Sequence, residues 1–110
     1  MQIFSRQVDQ TTIFDVSGDI TLANSPQLRK AVLREFRESR TPRVVLDLSQ
    51  VRYIDSSAEA SLVEGLKVSR DLGSRFVLFG LSPIARERLK LSRLLKLFEV
   101  YDSEEQALGS

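Results

Sequence analysis

The chain contains neither cysteine nor histidine, and each absence excludes a kind of chemistry. Without cysteine there is no disulfide framework, no thiolate zinc site and no cysteine nucleophile. Without histidine the commonest metal ligand and the commonest general base at neutral pH are missing, so a serine nucleophile would have no histidine to activate it. The composition therefore predicts a protein that is not an enzyme and that needs no cofactor or metal of its own.

The features of membrane proteins and nucleic-acid-binding proteins are lacking too. No apolar stretch approaches the roughly 20 residues needed to span a bilayer, and the first ten residues lack the basic and apolar segments of a secretory signal. The 16 basic and 15 acidic side chains nearly cancel, whereas a dedicated nucleic-acid-binding domain has a clear positive excess. We therefore expect a cytoplasmic protein that binds other proteins, with no nucleic acid and no direct membrane insertion.

Length and composition predict one domain, residues 1–110. Along it, segments with the pattern of strands alternate with segments that have the pattern of helices. Two runs of β-branched and aromatic residues flank the polar pair Asp9-Gln10, which is typical of a β-hairpin. Beyond residue 25, helical spacing of apolar residues alternates with nearly continuous apolar runs, which are typical of strands buried on both faces. This order predicts an α/β fold, with helices packed on a mixed, mostly parallel sheet of about four or five strands. The expected strands are residues 3–8, 12–16, 44–48, 76–79 and 98–101.

The third of the predicted helices begins after Ser82 and Pro83, a cap residue followed by proline. The apolar residues that this helix carries are Ile84, Leu89 and Leu91. This helix also begins the basic cluster of the sequence, which consists of Arg86, Arg88, Lys90, Arg93 and Lys96. Such a cluster can bind nucleic acid or an acidic partner, but it is more often the solvated side of an amphipathic helix, and that is our interpretation.

The most informative segment is Asp55-Ser56-Ser57, where a buried strand pattern gives way to a helical one. Backbone N–H groups at a helix N-terminus are unpaired and the helix dipole is positive there, so a phosphate on serine would find ready donors. Ser56 is therefore a candidate switch residue. In the alternative interpretation, Ser56 only caps the helix, and Glu59 reaches back to its backbone N–H in an S-x-x-E capping box. Ser57 is either a second candidate acceptor or simply the first helical residue.

Five short motifs together resemble the STAS domain of the bacterial anti-sigma factor antagonist family, over essentially the whole chain. They are VSGDI from Val16, VLDL from Val45, YIDSS from Tyr53, LSP from Leu81 and EEQAL from Glu104. In that family, the serine that follows the aspartate of a D-S-[ST]-G motif is phosphorylated by a partner kinase that is also an anti-sigma factor. By position, the resemblance assigns this role to Ser56 rather than to Ser57.

The resemblance implies partner switching. The unphosphorylated protein would bind an anti-sigma factor serine kinase and so free a sigma factor, phosphorylation of Ser56 would break that complex, and a PP2C-type serine phosphatase would restore it. The expected partner-binding residues are Asp19, Thr21, Asp55, Ser57, Ala58 and Glu59. The alternative is a STAS scaffold subunit of a lipid-transport or stressosome-like assembly, in which Ser56 is only a helix cap.

Three residues near the expected site depart from the family pattern. Ala58 occupies the place of a glycine, which makes the backbone less permissive but favours the helix. Glu59 occupies the place of a small or apolar residue and is expected to repel a phosphate on Ser56. Thr21 occupies the place of an aspartate in a loop near the phosphorylation site.

Overall fold

The computed structural model describes residues 1–109 and confirms the predicted α/β fold, with a five-stranded mixed sheet in that part of the chain. Helices pack on both faces of this sheet. In chain order the elements are β1 (Gln2–Val8), β2 (Thr11–Ser17), α1 (Ser25–Arg37), β3 (Arg43–Gln50), α2 (Ser56–Asp71), β4 (Arg75–Phe79), α3 (Pro83–Leu91), a 3₁₀ turn (Leu95–Leu97), β5 (Glu99–Tyr101) and α4 (Glu104–Gly109).

The strands lie in the sheet in the same order as in the sequence. β1 and β2 form the predicted antiparallel hairpin, and the turn places Asp9 in the left-handed region, at φ +55°, which aspartate tolerates better than most residues. β2, β3, β4 and β5 are parallel. Because their carboxyl ends meet at one edge, the loops that follow β2, β3 and β4 lie side by side there. This edge holds the candidate site.

β3 is buried on both faces, as its apolar run predicted. Val44 and Leu46 point into the main core, between the sheet and the first three helices, whereas Val45 points into a smaller cluster under α4. Successive side chains of a strand alternate between faces, so two cores require a strand that is apolar at every position. No helix in residues 1–109 combines the length and the apolar character that a membrane crossing requires.

The apolar residues of α3 differ in their burial. Leu89 is fully buried, whereas Ile84 is 46% exposed and Leu91 is 76% exposed. α3 is short, and its buried residues are the i and i+4 pair Ala85 and Leu89. Since successive residues are turned by about 100° around a helix axis, Ile84 and Leu91 fall outside this narrow stripe.

Candidate functional site

The start of α2 is tied to the loop that follows β2. Ile20 and Ile54 form an isolated parallel bridge beyond the ends of the named strands. Its backbone hydrogen bonds run from Ile20 N to Tyr53 O at 3.0 Å and from Asp55 N to Ile20 O at 3.1 Å. The bridge brings the segment after Ile20 against the first turn of α2, although the two are far apart in the sequence.

Asp55, rather than Ser56, is the N-cap of α2, so the predicted capping box is wrong. Asp55 Oδ1 accepts hydrogen bonds from the Ala58 backbone N–H at 3.0 Å and from the Ser57 hydroxyl at 2.7 Å. Its other oxygen, Oδ2, accepts from the Leu22 backbone N–H at 2.8 Å. Asp55 has the extended backbone typical of a cap, and aspartate caps as well as serine does. Ser56 is consequently the first helical residue.

Glu59 does not reach back to Ser56, and this half of the predicted capping box is wrong as well. Its side chain is 9% exposed and points towards α3, where its Oε1 forms an ion pair with Arg88 Nε at 3.0 Å. Both Glu59 carboxylate oxygens accept from the Ser92 hydroxyl, at 3.0 and 3.1 Å. The Arg88 guanidinium also lies 5.9 Å from the centre of the Tyr53 ring. Arg88 is half-buried and therefore belongs to a link between α2 and α3, not to a solvated basic face.

The two adjacent serines have different surroundings. The Ser57 hydroxyl is half-buried, donates to Asp55 and accepts from the Ser25 hydroxyl at 3.0 Å. Ser56 is exposed, and within residues 1–109 its hydroxyl makes no hydrogen bond. Ser56 also lies at the N-terminus of a helix of 16 residues, where the positive end of the dipole favours an added negative charge. Of the two, Ser56 has the accessible hydroxyl.

The six residues expected to bind a partner divide into two groups. Asp19, Thr21, Asp55 and Ser57 reach the surface at the carboxyl edge of the sheet. Asp19 pairs there with Arg52 at 3.3 Å. Ala58 is fully buried and Glu59 is 7% exposed, so the expectation that these two present a surface to a partner is not supported. Both lie on the side of α2 that faces the core and α3.

Sequence reasoning missed the apolar part of the site. Leu22 is 74% exposed, and its backbone N–H is fixed to the Asp55 carboxylate. A groove of about 640 Å³ also runs from Ser56 along α2. Ala60, Val63 and Leu94 contribute apolar surface to this groove, and Lys67 lies at it. The one signal in the sequence was Leu22 itself, a leucine between the second strand and the first helix that no helical or strand pattern explained.

Burial raises the pKa of Asp55, but the hydrogen bonds from the Ser57 hydroxyl and from the backbone N–H groups of Ala58 and Leu22 outweigh it, so the pKa lies below the usual aspartate value. A group whose pKa is lowered by folding stabilises the folded state above its unfolded-state pKa of about 3.9. That contribution is lost as the pH falls through the folded-state pKa. Asp55 is therefore an ionised cap at neutral pH.

Replacing Asp55 with asparagine is expected to lower the free energy of unfolding by about 1–2 kcal/mol at pH 7. The amide oxygen can accept from Ala58 or from Leu22, but the amide nitrogen cannot accept from the other. Urea denaturation at several pH values measures this, and the difference between the two proteins should shrink below about pH 4, as the wild-type carboxylate is protonated. Asp71→Asn, at the exposed end of α2, is the control and should cost less than about 0.5 kcal/mol. A difference that stays constant down to pH 2 would contradict the role of the charge.

The chain is similar to known proteins over most of its length. A protein-family model described as "STAS domain" matches residues 2–107. The anti-sigma-B factor antagonist of Listeria monocytogenes is 33% identical over 101 residues, which cover 91% of this chain and 78% of that protein.

Solved structures agree with the sequence comparison. An anti-sigma factor antagonist from Mycobacterium paratuberculosis has 25% identity and a TM-score of 0.87, over 98% of this chain and 91% of that chain. The phosphorylated form of the Bacillus cell fate determinant SpoIIAA has a TM-score of 0.76, over 98% of this chain and 97% of that chain. Its identity is 16%, so this likeness shows a shared fold.

Proposed function

The chain belongs to the STAS domain family, and on that premise we propose that it is an anti-sigma factor antagonist that acts by partner switching. It is a regulatory binding protein rather than an enzyme. When unphosphorylated it binds an anti-sigma factor serine kinase, and phosphorylation of Ser56 releases it. A PP2C-type serine phosphatase returns it to the binding form.

The observation that carries this proposal is the contrast between Ser56 and Ser57. Ser56 offers an exposed hydroxyl without a hydrogen bond in residues 1–109, whereas the neighbouring hydroxyl is committed to Asp55 and Ser25. A phosphate would add a charge of about −1.5 to −2 at this point. Placed in the middle of a protein contact, such a charge has to be paired or hydrated, so it breaks a complex that was built around a neutral hydroxyl.

The surface around Ser56 has the composition of a docking surface. We define the docking face by its surface residues: Asp19, Thr21, Leu22, Asp55, Ser56 and Ser57. Leu22 is its large apolar side chain, and the hydrogen bond from its backbone to Asp55 holds it in place before a partner arrives. Interfaces draw most of their affinity from a few side chains, surrounded by polar contacts that exclude water, and burying an exposed leucine contributes about 1.5–3 kcal/mol.

Replacing Leu22 with serine is expected to raise the Kd for the cognate anti-sigma factor kinase at least about tenfold, because it removes the apolar anchor. Isothermal titration calorimetry of the two purified proteins measures the effect. The matched control is Phe4→Ser, since Phe4 is also strongly exposed, at 63%, but lies on the edge strand β1. The control should leave the Kd within about twofold. If both variants lose the same affinity for the kinase, or if neither loses any, the result would contradict the proposed docking face.

The alternative of a constitutive STAS scaffold gave Ser56 no role except to cap α2. Asp55 has that role in the structure, through its bonds to Ala58 and Ser57. The scaffold alternative therefore no longer explains why a serine occupies position 56. This favours the function in which Ser56 is phosphorylated.

A further inference from the structure

Four of the five residues in the basic cluster surround a second groove, of about 730 Å³. Two of them come from α3, and two come from the turn that follows it and folds back towards α3. We call it the basic groove, and its lining consists of Pro83, Arg86, Glu87, Lys90, Arg93, Leu95 and Lys96. The fifth member of the cluster, Arg88, is absent because it is paired with Glu59.

The basic groove lies on the opposite flank of α3 from the link to α2. Residues two apart on a helix are turned by about 200°. Arg86 and Lys90, each two positions from Arg88, therefore face away from it and from Glu59. The groove is thus separate from the docking face, and a partner could occupy it without covering Ser56.

The positive charge in the groove is largely unneutralised. Arg86 lies 3.4 Å from Asp102, whose side chain is 85% exposed. Lys90, Arg93 and Lys96 form no ion pair in the part of the chain that the structure describes. Glu87 is the single acidic residue of the lining. Several unpaired cations around one concavity favour an anionic occupant.

Arg93 occupies a backbone position that normally belongs to glycine. It has φ +60°, and the hydrogen bonds from Arg93 N to Lys90 O and from Leu94 N to Leu89 O form the Schellman motif that ends α3. A side chain in this left-handed conformation costs about 1 kcal/mol relative to glycine. A cation at a helix C-terminus gains from the dipole, but Arg88 and Lys90 already supply that charge. The chain therefore holds an arginine at the groove against the local backbone preference.

The distribution of charge distinguishes between kinds of anion. Arg86 and Lys90 are about 6 Å apart along the axis of α3, and Arg93 and Lys96 lie on the turn beyond it, so the cations are spread along the groove rather than gathered at one point. Lys90 and Arg93 lie at the C-terminal end of α3, where the backbone presents carbonyl groups and the dipole is negative, which disfavours a single phosphate between them. Pro83 and Leu95 add apolar surface. Spaced cations beside apolar surface match a strand of carboxylates with an apolar side chain between them.

We propose that the basic groove binds an acidic peptide segment of a partner protein, independently of the state of Ser56. The test uses a fluorescein-labelled peptide of glutamate and leucine, EELEELEE, and a control peptide in which glutamine replaces every glutamate. Fluorescence anisotropy at low and at physiological salt measures binding to the full chain. The acidic peptide should bind with a Kd that rises with salt, and the glutamine peptide should not bind.

Arg93→Gly is the decisive variant, because it removes a cation and relieves the backbone without disturbing the core. It should weaken peptide binding about fivefold or more while the thermal midpoint stays the same or rises. Arg40→Gly is the matched control, since Arg40 is exposed and has φ +54° but follows α1. It should leave the Kd within about twofold.

Three results would overturn the proposal. The first is no binding of the acidic peptide at low salt. The second is equal weakening by Arg93→Gly and Arg40→Gly, which would indicate attraction to net charge alone. The third is binding of anionic phosphatidylglycerol vesicles, or of ATP, that depends on Arg93 when peptide binding does not. If Arg93→Gly weakens binding of the acidic peptide and Arg40→Gly does not, the basic groove is established as the binding site.

Discussion

Ser56→Ala is expected to abolish phosphate incorporation by the anti-sigma factor kinase completely, because Ser56 has the accessible hydroxyl at the start of α2. Intact-mass spectrometry of the protein, after incubation or co-expression with the candidate kinase and ATP, detects the phosphate directly. The wild-type chain should gain a single phosphate, and the variant should gain none. Since Asp55 caps the helix, the alanine variant should remain folded, with a thermal midpoint close to that of the wild type.

Ser57→Ala is the matched control for this experiment. It also removes a single hydroxyl, but that hydroxyl is the hydrogen-bonded one, which donates to Asp55 and accepts from Ser25. This variant should still gain a phosphate while losing about 1 kcal/mol of stability. If Ser57→Ala abolishes the mass gain and Ser56→Ala does not, the assignment of the acceptor is wrong. If neither serine is modified by a kinase that is active on another substrate, the phosphoswitch fails and the scaffold becomes the better interpretation.

The structure also removes an objection to a phosphate on Ser56. From the sequence, the Glu59 carboxylate was expected to lie near a phosphate on Ser56 and to repel that phosphate. Glu59 instead faces α3 and is paired with Arg88, so its charge is neutralised within the fold. A phosphate at the first position of α2 therefore meets a positive helix end without an unpaired carboxylate on the next turn.

The predictions from sequence succeeded where a local pattern determines the structure. The apolar run at Val44, Val45 and Leu46 predicted a strand buried on both faces, because each such side chain must be covered whichever way it points. The hairpin at Asp9-Gln10 followed from two strand patterns separated by two polar residues. In both cases the information lies within a few residues of the element it specifies.

The predictions failed where the outcome depends on contacts between distant segments. Aspartate and serine both cap helices well, so the residue types alone do not decide between Asp55 and Ser56 as the N-cap of α2. The Leu22 N–H favours Asp55, and it reaches that carboxylate only through the bridge after β2. The spacing of Ser56 and Glu59 predicted a capping box, but in the structure Glu59 forms an ion pair with Arg88 from α3. The exposure of Ile84 and Leu91 likewise depends on how α3 lies on the sheet, which its own sequence does not specify.

Replacing Arg88 with methionine is expected to lower the free energy of unfolding by about 2–3 kcal/mol, because it leaves the Glu59 carboxylate buried without its counter-ion. The Ser92 hydroxyl would be the remaining partner of that carboxylate in residues 1–109. Urea denaturation at pH 7 measures the loss. The control is Arg86→Met, the same exchange two positions earlier, where the side chain pairs with the strongly exposed Asp102. That variant should cost less than about 0.5 kcal/mol.

A second variant separates the charge from the packing of the arginine stem. Adding Glu59→Gln to Arg88→Met removes the buried charge while keeping a group that accepts from Ser92, so the double variant should recover about 1 kcal/mol or more of the loss. If the double variant is no more stable than Arg88→Met alone, the loss comes from the missing contact with Tyr53 and not from the ion pair. Recovery would instead show that the loss comes from the Glu59 carboxylate left buried without its counter-ion. Together with the burial of Glu59, that result would assign this departure from the family pattern to the contact between α2 and α3.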